Sequence, residues 1–459
     1  MLCEEPFIKP WWGNLREEIP NTRYAEKIFE RAFKLERLLV ESASRPLDLA
    51  LSEHQRALRM GKNDRNLLGT ALYSAARNRE ALISSVGVNY EAGLLLKIGF
   101  LDALGSVNSE ILGTFSNPDE LLEILDEVRG KREVWLQKIY DEWEESIALC
   151  SSETIDALCS LFSIPKVFIE AGPWRSLYEA AKELARGKER QALHLRVKRD
   201  EDLSKKGIEE LSRAGIDIKF STYTTYCLII DNPKNIRGLQ TFRNGVIEIQ
   251  DEGSQLLVEA ASSFIKGKVL DLCAGGGGKA LAMSDIAPEA DIYAFDIDLR
   301  RLNGIHPRIR RGGIKNIKTL GSLDEVSANA PYDFVLIDAP CTSTGTIRRN
   351  PDIAWRWDAE SVEQIVNTQR DLLCNSVSLV KRGGVLAYAT CSLLSVENNL
   401  QFESFLKEYE DVFEEVVLKP TSANPFAEKE NRLSFGARLP LDLGEYNGDS
   451  FYLAIARRR

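Results

Sequence analysis

Two cysteines stand where chemistry is done. Cys341 follows Asp338-Ala339-Pro340 directly after the apolar run Phe334 to Ile337. A short apolar run ending in Asp-x-Pro predicts a buried strand that stops at the edge of a sheet. Cys391 occupies the same kind of place, in Ala389-Thr390-Cys391-Ser392 after the apolar run from Val385. In open α/β sheets, ligands collect at the carboxyl ends of strands. Either cysteine alone means little, since free Cys is a common core residue; Cys374, between Leu373 and Asn375, is expected to be one. The pair at neighbouring strand ends, one of them behind an acid, is far more specific.

A third stretch, Asp271-Leu272-Cys273-Ala274-Gly275-Gly276-Gly277-Gly278-Lys279, lies between a predicted strand and a predicted helix. Glycines let the backbone approach a ligand and aim N–H groups at it. The phosphate-loop pattern fails, because Cys273 stands where it needs Gly and Ala280 where it needs Ser or Thr. Asp296 ends the next predicted strand, placed to accept hydrogen bonds from a ribose. A dinucleotide and the nucleoside end of S-adenosylmethionine both fit this pattern, as does a tight turn with no ligand.

One chemistry that uses all of these groups starts from an electron-poor ring. Carbon 5 of cytosine is a poor nucleophile until a thiolate adds at carbon 6, which breaks the aromaticity and makes carbon 5 enamine-like. A carboxyl group such as Asp338 can hydrogen-bond or protonate the ring at N3/N4 and stabilise the charge that develops. A base must later remove the carbon-5 proton so that the thiol can leave. Two cysteines allow one to attack and one to assist release. The motifs alone leave open which does which.

The whole-chain properties set bounds. A length of 459 residues predicts two to four domains, and 44% apolar with 28% charged residues is the composition of a folded globular chain. No apolar run approaches ~18 residues, so no membrane span is expected. The acidic start, Met1 to Pro6, has no signal-peptide pattern. Eight cysteines without a Cys-x-x-Cys, and three histidines, argue against a disulfide framework and a structural zinc site. No metal and a reducing, cytoplasmic setting are therefore expected, in which free thiols act as nucleophiles. A net charge of −10 is a poor prior for nucleic acid. Yet Leu299 to Lys318 carries seven basic residues (Arg300, Arg301, Arg308, Arg310, Arg311, Lys315, Lys318) and no acid. Arg196, Lys198, Arg199, Lys205 and Lys206 form a second cluster. Such stripes either hold phosphates or form a solvated face.

The elements that must position these groups divide the chain in three. Residues 1–147 read as an all-α accessory domain, with Leu67, Leu68, Ala71, Leu72 and Ala75 at helical spacing and helix starts at Asn63-Asp64 and Asn117-Pro118-Asp119. Residues 148–245 read as a small α+β module: strands at Ala192 to Val197, Ile216 to Ser221 and Tyr226 to Ile230, and a helix at Leu203 to Ala214. From 246 to 459 strands alternate with helices (Ala280 to Ile286, Leu299 to Arg311, Ala359 to Leu379), the pattern of a doubly wound α/β domain.

Taken together, the motifs resemble one family. Asp-x-Cys-Ala-x-x-Gly-Gly-Lys, Asp338 to Gly345, Arg348-Arg349-Asn350-Pro351-Asp352-Ile353, and Ala-Thr-Cys-Ser followed by Glu397-Asn398 are similar to the RsmB/NOP/Sun RNA cytosine-C5 methyltransferases. The likeness runs from Ala192 onward, including Ile249 to Gln255 and Gly448-Asp449-Ser450-Phe451-Tyr452. Lys62 to Arg65 and Tyr73 to Arg77 are similar to the NusB-like helical domain of the bacterial ribosomal-RNA members. The resemblance implies a multidomain protein with a Rossmann-like catalytic domain that uses S-adenosylmethionine. Cys391 would be the nucleophile and Cys341 the thiol assisting release, with Asp338 and Lys279 near the reacting base and methyl donor. Cys273 to Lys279 (Cys273, Ala274, Gly275, Gly276, Gly277, Gly278, Lys279), Asp296, Ser322 and Asp338 would line the cofactor pocket. RNA is the implied partner, ribosomal RNA ahead of transfer RNA, and a monomer is expected. A dinucleotide-dependent oxidoreductase would explain the glycines and Asp296 but not the paired cysteines. A non-catalytic RNA-binding protein on a worn scaffold is the other alternative.

Three residues depart from the family pattern: Gly276 replaces Pro, Ala280 replaces Thr, and Ser322 replaces an acid that contacts the adenine. The first loosens the loop, and the last removes an acceptor worth about 0.5–1.5 kcal/mol unless Asp324 substitutes. Weaker cofactor binding than is typical of the family is expected.

Overall fold

The computed structural model describes residues 22–41, 46–87, 90–104, 107, 109–174, 176–188, 192–231, 235–418, 437–439 and 448–459. They fall into two compact units: 1–190 with 346–361, and 191–345 with 362–459.

The first unit is helical throughout its described elements. Leu67, Leu68, Ala71, Leu72 and Ala75, on the helix Lys62–Arg77, have no exposed surface. They face the helix Leu94–Leu104, which is buried on most sides and apolar apart from Lys97 and Asp102. Gly99 makes this approach possible, since a Cβ there would meet the Ala71 carbonyl and the Ala75 side chain, both at 2.8 Å. The helix Pro118–Asp141 begins with proline at its first turn behind Asn117 and lays Leu121, Leu125 and Val128 on the same core. Within this core Arg132 donates to both oxygens of Asp102, each at 2.7 Å, and to Asn78 Oδ1 at 2.8 Å.

Two expectations change here. Helices Ser152–Phe162, Lys166–Glu170 and Leu177–Arg186 belong to this helical unit, so the stretch expected as a single 148–245 module is divided between the units. The segment with Arg348 to Ile353 also belongs to it: Arg77 donates to the Arg348 carbonyl at 3.2 Å, and Leu47 N donates to Asp352 Oδ2 at 3.2 Å.

The second unit holds two sheets. The smaller is antiparallel, built from β1 (Leu193–Val197), β2 (Lys219–Phe220), β3 (Cys227–Ile230) and β4 (Ile247–Ile249) in the order β2-β3-β1-β4. The helix Glu201–Arg213, capped by Asp200, supplies Leu211 to its core. The larger sheet comprises β5 (Lys268–Asp271), β6 (Asp291–Ala294), β7 (Ile317–Thr319), β8 (Tyr332–Asp338), β9 (Val380–Thr390), β10 (Phe413–Glu415), β11 (Ala437–Leu439) and β12 (Phe451–Arg458). Its order is β10-β12-β9-β8-β5-β6-β7, with β11 also paired to β12. Strands β5 to β9 are mutually parallel where they pair, and β12 runs antiparallel beside β9. Alternate residues feed two cores, one on each face: Val269, Phe334, Leu336 and Ala387 on one, Leu270, Val335, Ile337 and Tyr388 on the other.

The chain steps outward from β5 to β6 and β7, then returns to lay β8 on the other side of β5. That reversal opens a crevice at the carboxyl ends of β5 and β8. The predicted helix Leu299 to Arg311 is two helices, Leu299–Leu302 and Ile305–Gly312, broken at Asn303-Gly304, where glycine is a poor helix former.

Replacing Arg132 with Met should destabilise the helical unit by about 3 kcal/mol in urea unfolding at neutral pH, since Asp102 stays buried without its principal partner. Replacing both, with Met at 132 and Leu at 102, should recover much of that loss.

Candidate active site

The glycine loop is held by backbone bonds to the end of β6. Ala274 N donates to the Phe295 carbonyl at 2.8 Å, and Gly275 N donates to Asp296 Oδ2 at 2.7 Å. Asp296 Oδ1 accepts from Asp298 N at 2.8 Å, so both carboxylate oxygens are engaged by the turn. Two glycines are required by conformation. Gly275 and Gly277 sit at φ +53° and +77°, and a Cβ on Gly277 would run into Ile305. Gly276 is different: it is exposed, lies outside the left-handed region, and has only the end of Arg308 within 4 Å.

Lys279 opens the helix Gly278–Ile286 and turns its ammonium to Asp338, the last residue of β8, at 2.6 Å. The ammonium also lies 5.0 Å from the centre of the Phe451 ring. Burial disfavours its charge, yet pairing with Asp338, and the nearby Cys391 and Asp271, hold its pKa above the ordinary lysine value. Asp271, at the end of β5, has no exposed surface. Burial and the Asp338 charge push its carboxyl up to about 7, against the pull of Lys279.

The two cysteine sulfurs are 3.4 Å apart. Strands β8 and β9 pair in register, Asp338 opposite Ala389, so the loops that follow them leave side by side. The thiols share a hydrogen bond, and it divides them. Cys391 is held below the ordinary thiol pKa, first by the bond from Cys341 and then, against burial and Asp338, by Ser343 and Lys279. Cys341 is pushed well above it by the same bond, by burial, and by the charges of Cys391 and Glu397. Cys391 is thus the thiol poised to ionise. The backbone around it is fixed from β12: Gly345 N donates to the Cys391 carbonyl at 2.9 Å, and Ser450 N donates to the Gly345 carbonyl at 3.0 Å. A Cβ on Gly345 would run into the Ser450 carbonyl.

The crevice therefore gathers Cys341, Cys391, Asp338, Lys279, Cys273 and the glycine loop. Cys273 is partly buried, and its thiol is pushed up by burial. Ser322 follows β7 and caps the helix Leu323–Ala328, its hydroxyl accepting from Glu325 N at 3.2 Å. Asp324, in the first turn of that helix, is exposed. Four residues essential to the geometry were not among the predicted site residues: Asp271, Gln369, Glu397 and Phe451. Glu397 lay inside a matched motif, and Asp271 began one; nothing local to Gln369 marks it. Among the described residues, no group of three or more His, Cys, Asp or Glu side chains is gathered as a metal site.

The basic residues expected at phosphates are largely engaged within the unit. Arg308 and Arg311 both pair with Glu248, on β4, and Arg308 also donates to the Gly276 carbonyl at 2.7 Å. Arg196 is buried, paired with Asp285 and bonded to Gln250 Oε1 at 2.7 Å. Lys198 bonds the Gly312 carbonyl, and Arg199 pairs with Glu259. These cations join the small sheet to the α/β domain.

Residues 264–457 match the 16S rRNA methyltransferase RsmB/F family. This stretch is similar to the RsmB/F methyltransferases. Ribosomal RNA small subunit methyltransferase B of Proteus mirabilis is 32% identical over 243 residues, 52% of this chain and 56% of that protein. The chain thus matches over about half the length of its curated relatives. Among solved structures, PH0851 shares the fold over 96% of this chain and 99% of its own, with a TM-score of 0.69 and 24% identity. A methyltransferase homolog protein from Pyrococcus horikoshii aligns over 67% of this chain and 99% of its own, with a TM-score of 0.54 and 25% identity. The RsmB/F match spans the glycine loop, both cysteines, Lys279 and Asp338.

Two variants test the loop and the strand end it leaves. Gly276→Ala should stabilise the protein by about 0.4–1 kcal/mol, read as a raised Tm, because the site accepts a Cβ and only the unfolded chain loses freedom. Asp271→Asn tests the raised carboxyl. The folded protein keeps a proton on Asp271 that the unfolded chain has released, from the ordinary carboxylate range up to about pH 7. Stability from this group is full at low pH, falls through that window, and is flat above it. The stabilisation by Asn should therefore be larger at pH 8 than at pH 4.5, by about 2–4 kcal/mol. A pH-independent effect would refute the shift.

Proposed function

We propose that this protein is an S-adenosylmethionine-dependent RNA cytosine-C5 methyltransferase with Cys391 as its nucleophile. The observation that carries this reading is the pair of thiols 3.4 Å apart with divided proton affinities, beside the Lys279–Asp338 pair.

The residues around the crevice fit the cofactor. Gly275 and Gly277 hold left-handed turns that keep the loop free of side chains, and Asp296 stands at the end of β6 for a ribose. Residues 273–279 and Asp296 would hold S-adenosylmethionine, which supplies an electrophilic methyl group when bound. Ser322, committed to its helix cap, offers the adenine less than an acid would.

The chain's own groups do the rest. Cys391, the more acidic thiol, adds to carbon 6 of the base and makes carbon 5 nucleophilic. Asp338 faces the ring nitrogens, where its carboxyl can hydrogen-bond the base and steady the charge that develops, while Lys279 keeps that carboxyl in place. Once Cys391 is bonded to carbon it bears no charge, so the strongest influence raising Cys341 is gone. Cys341 can then give its proton to solvent and take one from the methylated carbon 5; the electrons of that C–H bond re-form the C5–C6 double bond as the carbon–sulfur bond breaks, and Cys391 leaves as a thiolate. The base must reach this crevice unstacked, which favours a loop or single strand. The names of the sequence relatives favour ribosomal RNA as the substrate.

Cys391→Ala should lower methylation by ~10³-fold or more, measured by bisulfite sequencing of RNA incubated with the protein. Cys341→Ala should instead accumulate a covalent protein–RNA adduct on denaturing gels. Methylation by Cys391→Ala, or an adduct with Cys391→Ala and none with Cys341→Ala, would reverse the assignment.

A further inference from the structure

Behind the two thiols lies a buried carboxylate that none of the steps above uses. Glu397 has no exposed surface. Its Oε2 accepts from Thr342 N and from Gln369 Nε2, each at 2.9 Å. Its Oε1 accepts from the hydroxyls of Thr342 and Ser392. Thr342 follows Cys341 in the chain, and Ser392 follows Cys391. Gln369 donates as well to the Pro340 carbonyl at 2.9 Å, and Tyr388 anchors the Glu397 carbonyl at 2.7 Å. We infer that Glu397 is a positioning residue: one carboxylate that ties the Cys341 loop to the Cys391 loop and holds the two thiols at their working separation and in unequal roles. The inference rests on the reading of Cys391 as the attacking thiol.

Two features separate this from ordinary packing. Neutral donors alone would be satisfied by a neutral acceptor, and a buried carboxylate is costly to desolvate. Among the described residues no Lys or Arg pairs with Glu397, so its charge is not cancelled by a direct partner. The charge acts on Cys341, as one of the causes that push that thiol up. The other groups facing the pair are Asp338 at the end of β8, Lys279 on the loop helix and Tyr388 on β9. Lys279 favours the Cys391 thiolate while Glu397 disfavours a Cys341 thiolate, so a cation and an anion act on the pair in the same sense. The hydroxyls of Thr342 and Ser392 are 3.1 Å apart. The same oxygen of Glu397 that bonds both therefore fixes the distance between the residues following the two cysteines.

The test uses the full chain and needs no RNA for its first readout. Wild type, Glu397→Gln and Glu397→Asp are treated at pH 8 with substoichiometric iodoacetamide, and the first cysteine alkylated is found by peptide mass mapping. Wild type should favour Cys391 over Cys341 by about tenfold or more, and Glu397→Gln should cut that preference by roughly tenfold, the effect of about one pKa unit. Glu397→Asp keeps the charge and shortens the reach, so it should keep the preference. In RNA methylation both variants should lose kcat by about 10–100-fold with KM for S-adenosylmethionine within about twofold, because the loops rather than the cofactor pocket have moved. If Glu397→Gln does not fold, Thr342→Val and Ser392→Ala each remove a donor to Oε1. Each should lower kcat several-fold without changing the alkylation preference. Wild-type selectivity and wild-type kcat in Glu397→Gln, or unchanged kcat in both donor variants, overturns the inference. Altered selectivity in Glu397→Gln, with no RNA methylation by any form including wild type, leaves the inference standing and removes the substrate reading.

Discussion

The site depends on the in-register parallel pairing of β8 and β9. Asp338 lies opposite Ala389, and Ala339 N bonds the Ala389 carbonyl at 2.8 Å. Strands that end level deliver their loops at the same height, and two cysteines on those loops come within bonding range without either loop leaving its own strand. A slip of one residue would turn every side chain of one strand to the other face. The two cores, one on each face of the sheet, forbid that slip, because Leu336 and Ile337 would have to exchange layers. The spacing of the two thiols is therefore a by-product of core packing.

Electrostatics then distinguish two chemically identical groups. The thiols differ because the crevice around them is asymmetric: a lysine–carboxylate pair on one side, a buried glutamate on the other. At 3.4 Å the two thiols share one hydrogen bond, so the charge on either one sets the proton affinity of the other. The small sheet contributes rigidity here. Arg308, held by Glu248, clasps the Gly276 carbonyl, and Gln250 donates to the Gly278 carbonyl at 3.2 Å, so the glycine loop is braced from outside the α/β domain.

Much of this was legible in the sequence, for physical reasons that differ by residue. Asp338, Cys341 and Cys391 could be placed because apolar runs that stop at polar residues mark strand ends, and strand ends mark crevices. The helix Lys62–Arg77 could be placed because its apolar residues repeat at the helical period. What could not be read were contacts between residues distant in the chain. Glu248 meets Arg308 and Arg311 some sixty positions away, so a stripe that looked free for phosphates is partly neutralised inside the unit. Glu397 is surrounded by donors from three segments, and although Thr342 and Ser392 lie in recognisable motifs, Gln369 carries no local mark and nothing in the sequence shows that the three converge. The stretch from Ser152 to Arg186 was placed with the α+β module that follows it, because a local reading of the sequence does not show which core a segment packs against.

The antiparallel strand β12 has a consequence of another kind. Ser450, just before it, steadies Gly345, and Phe451, its first residue, lies against the Lys279 ammonium, yet both come long after the two cysteines in the chain. A nascent polypeptide emerging from the ribosome carries Cys341 and Cys391 into solution before the segment that completes their surroundings exists. Until β12 pairs with β9, the loop carrying Gly345 lacks its backbone brace. The order of synthesis thus places both cysteines ahead of the strand that braces the loop between them.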